Sequence, residues 1–523
     1  MKTHTTFGYP HRLVRAVTLV FGMLVVSACA SAPDRRPVTA TSVALEPAAD
    51  APLAVVERRA REQSAAQAAH SGVHVLPQGI DAFAARLTLV ESARHSLDVQ
   101  YYLFHSDATG VLLAWSLWQA AERGVRVRLL LDDMEKRQDD FPLTVLDAHP
   151  NIEVRLYNPF YWRAARVWQL ASSFGRLNHR MHNKSFTADN LATVVGGRNI
   201  GDEYFDANQS INFGDMDALL LGPVVREVSS AFDRYWNSEL VYSFATLSDH
   251  KPLDRQHHAW AEKLLQQSVA ALEGSAYADA LVNTGFMARL NEGQLPLHWA
   301  NIELWVDKPD LEAMRARESG SAFVINRLLG AFSRAERELF LISPYFVPRK
   351  QGTQLLREQA EKGVEVSVVT NALAATDVVA VHSGYAKRRE DLLRSGVSVF
   401  EVKAKPSIAP KAWSISSASS LHAKTFVIDK RWVFIGSFNL DPRSAWLNTE
   451  MGVLIDSPEL AVKLLQGVAP LLDNIAYRVS LRDGKVVWQD MATGQTFDRE
   501  PEASWWRRAL AGVLRFLPVE PQL

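Results

Sequence analysis

The chain writes one chemical skeleton twice. Residues 182–189 read HNKSFTAD and residues 422–429 read HAKTFVID, with histidine, lysine and aspartate at the same intervals. The likeness extends well beyond those positions. FAARLTLVESARHSLDVQYYLF (83–104) and INRLLGAFSRAERELFLISPYF (325–346) share the plan of an amphipathic helix running into a strand, with Arg86 and Arg327 in like places. AAERGVRVRLLLDD (120–133) and QAEKGVEVSVVTN (359–371) each join a helix end, a capping glycine and a β-rich strand. NIEVRLYNP (151–159) and SGVSVFEVK (395–403) add a further short strand apiece. A period near 240 residues is too long for a solenoid and implies duplication of a whole domain.

Strands alternating with helices predict an α/β fold: two pseudo-twofold-related domains, each a mixed, mostly parallel sheet clad by helices. The repeats place these domains at residues 75–244 and 321–500. Residues 245–320 lack a clear counterpart and read as a helical connection, and 501–523 as an amphipathic C-terminal segment.

HAKTFVID is β-branched and aromatic, hence strand-like, so His422 and Lys424 point to one face. Beyond Asp429 follow Gly436, Ser437 and Asn439; beyond His182, Lys184 and Asp189 follow Gly196, Gly197 and Asn199. Each residue alone has an ordinary explanation: a hydrogen-bonded histidine, a solvated lysine, a loop glycine, and Asp189 or Asp429 as hairpin-turn residues. Recurrence of the whole set favours chemistry. Two histidines, two lysines and two asparagines suit a phosphodiester. One neutral imidazole attacks phosphorus, and the opposing imidazolium protonates the departing alcohol and later deprotonates the incoming one. The lysines and asparagines stabilise the phosphoryl oxygens, with no metal or other cofactor required. Each half then contributes one side of a single shared site.

H-x-K-x4-D followed by x6-G-[SG]-x-N, in both copies, resembles the signature of the phospholipase D superfamily, with Gly197 in place of the commoner serine. The resemblance implies a catalytic set of His182, Lys184, Asp189, His422, Lys424 and Asp429, with Asn199 and Asn439 on the phosphate. In that family an acidic residue downstream orients each histidine through its other nitrogen. Glu450 is the candidate in the second half and Asp215 in the first, at matching distances from Pro458 and Pro223, with Asp217 as fallback. Family habit makes His182 the nucleophile and His422 the general acid and base.

The superfamily spans lipid hydrolases, cardiolipin synthases and nucleases, so the motif leaves the substrate open. Net charge is −1, which excludes a global basic field for gathering nucleic acid. Locally, residues 154–188 hold Arg155, Arg163, Arg166, Arg176 and Arg180 ahead of Lys184, aromatics interleaved, and no acid before Asp189. Residues 402–428 hold Lys403, Lys405, Lys411 and Trp413, again without an acid. Both stretches predict a positive, aromatic rim for anionic headgroups, although a nucleic-acid groove would share those properties. In SWWRRALAGVLRFLP (504–518), Trp506, Leu510, Val513 and Leu517 share one helical face and Arg507, Arg508 and Arg515 another. That pattern fits either a helix in a membrane interface or one docked on the core.

The N-terminus adds a membrane context. Lys2, Arg12 and Arg15 precede an apolar run from Ala16 to Val26 and then Ser27-Ala28-Cys29, the chain's single cysteine. Residues 1–28 read as a signal peptide. The VSAC stretch resembles a bacterial lipobox, which implies lipidation at Cys29, a flexible tether over 29–74 and a periplasm-facing place in the cell envelope; Ala30 leans towards the outer membrane. The chain after the tether resembles C-type cardiolipin synthases. This implies transfer of a phosphatidyl group to phosphatidylglycerol, from phosphatidylethanolamine or a second phosphatidylglycerol. The competing readings are a phospholipase D hydrolase that releases phosphatidic acid and a secreted nuclease or phosphodiesterase.

Overall fold

The structure is a computed structural model that describes residues 40–134, 141–208, 212–247, 255–270, 272, 274–310, 323–405, 419–517 and 520–523. The expectations for residues 1–28, Cys29, Lys411 and Trp413 lie outside these residues.

The first half contributes strands β1 (Ser71–Leu76), β2 (Ser96–Tyr101), β3 (Arg126–Asp132), β4 (Ile152–Tyr157), β5 (Ser185–Ala188), β6 (Ala192–Gly196), β7 (Asn212–Gly214), β8 (Asp217–Leu221) and β9 (Val241–Ser243). The second contributes β10 (His298–Val306), β11 (Glu338–Ile342), β12 (Glu365–Asn371), β13 (Ser398–Val402), β14 (Ser419–Leu421), β15 (Thr425–Ile428), β16 (Trp432–Gly436) and β17 (Met451–Asp456), followed by β18 (Ala476–Arg482), β19 (Lys485–Asp490) and β20 (Thr496–Phe497). Within each half the pairing order is the same: β4-β3-β2-β5-β6-β8-β1 against β13-β12-β11-β15-β16-β17-β10. β1 and β10 pair antiparallel, Ser71 opposite Ala300 and Val73 opposite His298, so the halves fuse into one 18-stranded sheet.

Within this sheet, parallel pairing is confined to β2-β3-β4 and β11-β12-β13. The rest is antiparallel, so the sheet is mixed but not mostly parallel. The cause is local. The strand after each histidine returns through a three-residue hairpin loop, 189–191 or 429–431, with φ of +52° and +56° at Asp189 and Asn190 and +54° and +55° at Asp429 and Lys430. Two left-handed residues in succession match the twist of an antiparallel pair.

Two expected boundaries change. Residues 245–320 do carry helices, Arg255–Ala270, Ala276–Asn283 and Phe286–Asn291, but they also carry β10. The HWANIELWV segment of β10 buries Ala300, Ile302 and Trp305 at alternate or near-alternate positions, and its counterpart is the shorter β1. The described part of the expected tether is not a free chain. Pro52–Gln63 is a helix with Leu53, Val56 and Ala60 buried, and β1 already begins at Ser71. Ahead of it, Ala40 O accepts from Arg155 Nη2 (3.1 Å), Ser42 O from Arg128 Nη1 (3.0 Å), and Ala44 N donates to Asp233 Oδ2 (2.8 Å). No helix among the described residues is long and apolar enough to cross a membrane.

Candidate active site

Each histidine enters the site beside the other half's acid. β7 runs parallel to β14, with Gly214 opposite Leu421, and an isolated parallel bridge joins Met181 to Thr449. These contacts are pseudo-twofold equivalents: the residue before each histidine lies next to the residue before the opposite acid. His182 N donates to Thr449 O (2.9 Å) and His422 N to Gly214 O (2.8 Å). The side chains follow the backbones. His182 Nδ1 stands 2.9 Å from Glu450 Oε2, and His422 Nδ1 stands 2.5 Å from Asp215 Oδ2. Each acid therefore serves the histidine of the other half, an exchange that downstream spacing alone does not disclose. Asp217, the fallback, is elsewhere: it is buried 2.9 Å from Arg86 Nη2 and 3.6 Å from Arg198 Nη1.

Residues at the ends of β3 and β12 aim these segments. Asp132 accepts from Met181 N (2.8 Å) and from Arg180 Nε (2.9 Å). In the equivalent place, Asn371 bonds both backbone groups of Leu421, at 2.9 Å each. The sequence showed these residues as the ends of LLLDD and VVTN, but nothing in either stretch marked them as partners of a histidine segment. Lys184 Nζ donates to His182 O (2.7 Å), and Lys424 Nζ donates to His422 O while lying 2.9 Å from His422 Nδ1.

The Gly197 departure has a steric explanation. Ser437 Oγ donates to Glu450 Oε2 at 2.5 Å. In the first half, a Cβ at Gly197 would stand 2.2 Å from Asp215 Oδ1. Serine with glutamate and glycine with aspartate are thus two ways of filling one space.

Several residues expected in the site are placed differently. Asp189 and Asp429 do not reach the histidines. Asp189 accepts from the backbone N–H groups of Arg94, His95 and Ser96 at 2.8–2.9 Å, and Asp429 from those of Glu336, Arg337 and Glu338 at 2.7–3.1 Å. Each carboxylate pins the hairpin to the loop that starts β2 or β11, so the turn explanation holds and the catalytic one does not. Asn199 Nδ2 donates to Tyr204 OH (2.9 Å) and its Oδ1 accepts from Leu103 N (3.2 Å), which ties the amide to the surrounding loop. Asn439 differs, because its Oδ1 is buried without a partner.

The positive rim expected from residues 154–188 is largely neutralised. Arg180 is fully buried on Asp132, and Arg155 on Trp236 O (2.9 Å). Arg163 and Arg166 meet Asp133, and Arg176 meets Asn158 and Pro159 O. The acids missing from that stretch come from the end of β3, a different part of the sequence. Lys403 is likewise paired with Asp490 at 2.8 Å, leaving Lys405 exposed.

Burial shapes the electrostatics. It pushes Lys184 down to about 7 and Lys424 to about 8, and raises the Glu450 carboxyl to about 7. Burial would also raise Asp215, but His422 and Lys424 outweigh it and hold that carboxyl well below the usual range. Both histidines are lowered, but to different degrees. Burial, with Lys184 and Lys424 beside it, drives His182 well below its ordinary value and keeps it neutral. At His422, burial and Lys424 lower the ring on balance, while ionised Asp215 pulls the other way and limits the fall. The surroundings differ as well. Tyr102 meets His182 edge-on (5.1 Å), whereas His422 has Tyr204 edge-on and Phe213 stacked, both at 5.3 Å.

Two apolar ridges lie beyond the strand ends from which the histidine segments are held. Helix Arg166–Ser172 exposes Trp168 at 79% and Val167 at 81%, near half-exposed Trp162 and Phe174. Helix Trp505–Leu514 exposes Trp505 at 79% and, just past its end, Phe516 at 88%. Its arginines face inwards: Arg507 Nη2 donates to Thr376 O and Arg508 Nη2 to Glu500 O (2.9 Å). Arg507 and Arg508 are docked, Arg515 just past the helix is exposed, and the apolar face is free, which is the reverse of a helix packed on a core by its apolar side.

A shared sheet with crossed histidine–acid pairs at its centre defines a phospholipase D-type fold. Among solved structures, phosphatidylserine synthase of Haemophilus influenzae Rd KW20 superposes with a TM-score of 0.51 over 81% of this chain and 91% of its own, at 12% identity. The family described as "Cardiolipin synthase, PLD-like domain" matches residues 87–236 and 328–469. Cardiolipin synthase C of Escherichia coli (strain K12) is 41% identical over 460 residues, covering 86% of this chain and 95% of that protein. Major cardiolipin synthase ClsA of Bacillus subtilis (strain 168) is 25% identical over 399 residues, covering 76% and 67%. The chain belongs to the cardiolipin synthase family of phospholipase D-like proteins.

Proposed function

We propose that the protein is a membrane-associated phosphatidyltransferase that makes cardiolipin. The observation that carries the chemistry is the unequal pairing across the site: His182 on Glu450, whose carboxyl burial raises to about 7, and His422 on Asp215, which stays ionised. His182 Nε2 attacks phosphorus, while Nδ1–H stays on Glu450. The P–O bond to the departing alcohol breaks, and the alkoxide takes the Nε2 proton of His422. In the second step His422 Nε2 accepts the proton of the incoming hydroxyl, whose oxygen displaces His182 from phosphorus. Lys184 and Lys424 stand ready for the non-bridging oxygens, and an anionic phosphodiester returns both ammonium groups to their charged form. Asp215 offsets the charge that forms on His422.

Family membership supports phospholipids as substrates, with phosphatidylglycerol the acceptor and phosphatidylethanolamine or phosphatidylglycerol the donor. The two outward ridges support a bilayer as the working surface, since tryptophan beside an apolar stripe suits the interface. Lipidation at Cys29 would add a second anchor. Incubation with labelled phosphatidylglycerol, with and without phosphatidylethanolamine, tests the proposal. Cardiolipin is the expected product; phosphatidic acid alone would make the protein a hydrolase, and cleavage of DNA without turnover of lipid would make it a nuclease.

A further inference from the structure

The halves differ sharply where helices cover the sheet. In the first half, the groove between helices Gly79–Ser92 and Ala108–Glu122 is filled. The buried rings of Phe83 and Phe205 pack 4.8 Å apart, and Tyr277, from the helix Ala276–Asn283, donates its hydroxyl to Phe205 O (3.0 Å). Aligning Asn199 with Asn439, and residue 83 with residue 325, places Ala445 where the first half has Phe205 and Ile325 where it has Phe83. The matching groove, between helices Val324–Ser333 and Arg349–Glu361, therefore lacks both rings. It is a cavity of about 320 Å³, walled by residues such as Leu329, Phe332, Leu355 and Trp446.

Its position bears on the chemistry. Phe438 and Leu440, the neighbours of Asn439, form part of its wall. Asp441, the carboxyl in that wall, is occupied in accepting from Ser444 N (2.7 Å). At the opening stand exposed Arg349 and Gln351, continuous with Lys350. Glu520 on the same rim lies 3.9 Å from both Lys387 and Arg388. An apolar chamber at the lower end of the size range of ligand clefts, basic at its mouth and beside a phosphate-handling loop, suits an anionic amphiphile.

We propose that this cavity receives one acyl chain of a phospholipid bound at the shared site. The inference rests on the phosphatidyltransferase reading and adds to it an asymmetry: of the chains carried by donor and acceptor, one is held by the protein and its length is sensed. Each methylene taken from water into the cavity strengthens binding roughly fourfold until the chamber is full.

Short-chain phosphatidylglycerols of graded length, kept as monomers below their critical micelle concentrations, test this through kcat/KM. The wild-type protein should gain severalfold per added methylene and then level off. Ala445→Phe installs the ring of the first half, and Leu355→Trp fills the chamber from the other side. Each should flatten the length dependence without lowering the melting temperature. A phosphatidylglycerol carrying a diazirine in its acyl tail should label residues 325–332 and 349–356 of the wild-type protein, and label them at least tenfold less in the variants. Unchanged length dependence in both variants, or labelling confined to other peptides, would overturn the proposal. Absence of turnover at every chain length would instead defeat the phosphatidyltransferase reading, while the photolabel would still report on the cavity.

Discussion

The two halves are built on one strand order yet are used differently. In the first, Gly197 makes room for a short acid, Asp215, which stays ionised; in the second, Ser437 donates to a longer acid, Glu450, which burial pushes up to about 7. Because the acids cross over, this difference reappears inverted at the histidines. The half that supplies the ionised acid supplies the neutral imidazole. Duplication thus gave two copies of one constellation, and small changes in the acid and its neighbour gave the two histidines unequal surroundings, which the proposed mechanism uses to set a nucleophile apart from a proton carrier.

The largest expected effect breaks the symmetry outright. His182→Ala and His422→Ala should each reduce cardiolipin formation by roughly 10⁴-fold or more, since residues acting as one unit fail together. A phosphatidyl ester with a good leaving group such as p-nitrophenol needs no proton on departure. It should restore release of the phenol in His422→Ala and not in His182→Ala. Rescue of the His182 variant instead would reverse the roles.

The acids come next. Ionised Asp215 supports the imidazolium at His422, so activity that requires the proton on His422 falls as pH rises through the pKa of that ring. Asp215→Asn removes the support, and should shift the alkaline limb of the pH–rate profile to lower pH and cost roughly 10²–10⁴-fold at neutral pH. Glu450→Gln leaves an acceptor for His182 Nδ1–H and removes only part of a charge near pH 7, so its cost should be nearer tenfold. Equal losses would mean that the halves are not electrostatically distinct.

A smaller change tests the packing behind that difference. Gly197→Ser forces a Cβ against Asp215 Oδ1 at 2.2 Å and should destabilise the protein by about 1–3 kcal/mol, with activity falling alongside. Pairing it with Asp215→Glu copies the pattern of the second half and should recover much of the loss; a double-mutant cycle measures the coupling.

The duplication, the helix–strand order and both histidines were legible because spacing carries them. The crossing was not, because it depends on Met181 lying beside Thr449 and Leu421 beside Gly214, contacts between segments more than two hundred residues apart. The arginine rim misled for a related reason: Asp132 and Asp133 neutralise Arg180 and Arg163 from a strand outside the stretch being read. β10 was hidden because its counterpart, SGVHVL, is short and carries no motif.

Asp189 and Asp429 offer the smallest and most discriminating comparison, since the motif presents them as equals. Each carboxylate holds three backbone N–H groups, but the setting differs. Asp189 is 2% exposed, with Ser96 N buried beneath it, whereas the amides of Glu336 and Arg337 on Asp429 face solvent. Removing an acceptor from buried amides leaves them unsatisfied, while exposed amides turn to water. Asp189→Ala should therefore cost about 2–3 kcal/mol in denaturant unfolding and Asp429→Ala about 1 kcal/mol or less. In both variants the turnover of the folded fraction should stay within roughly threefold of wild type, because neither carboxylate touches the histidines. A hundredfold fall in kcat with stability intact would return these aspartates to the catalytic set.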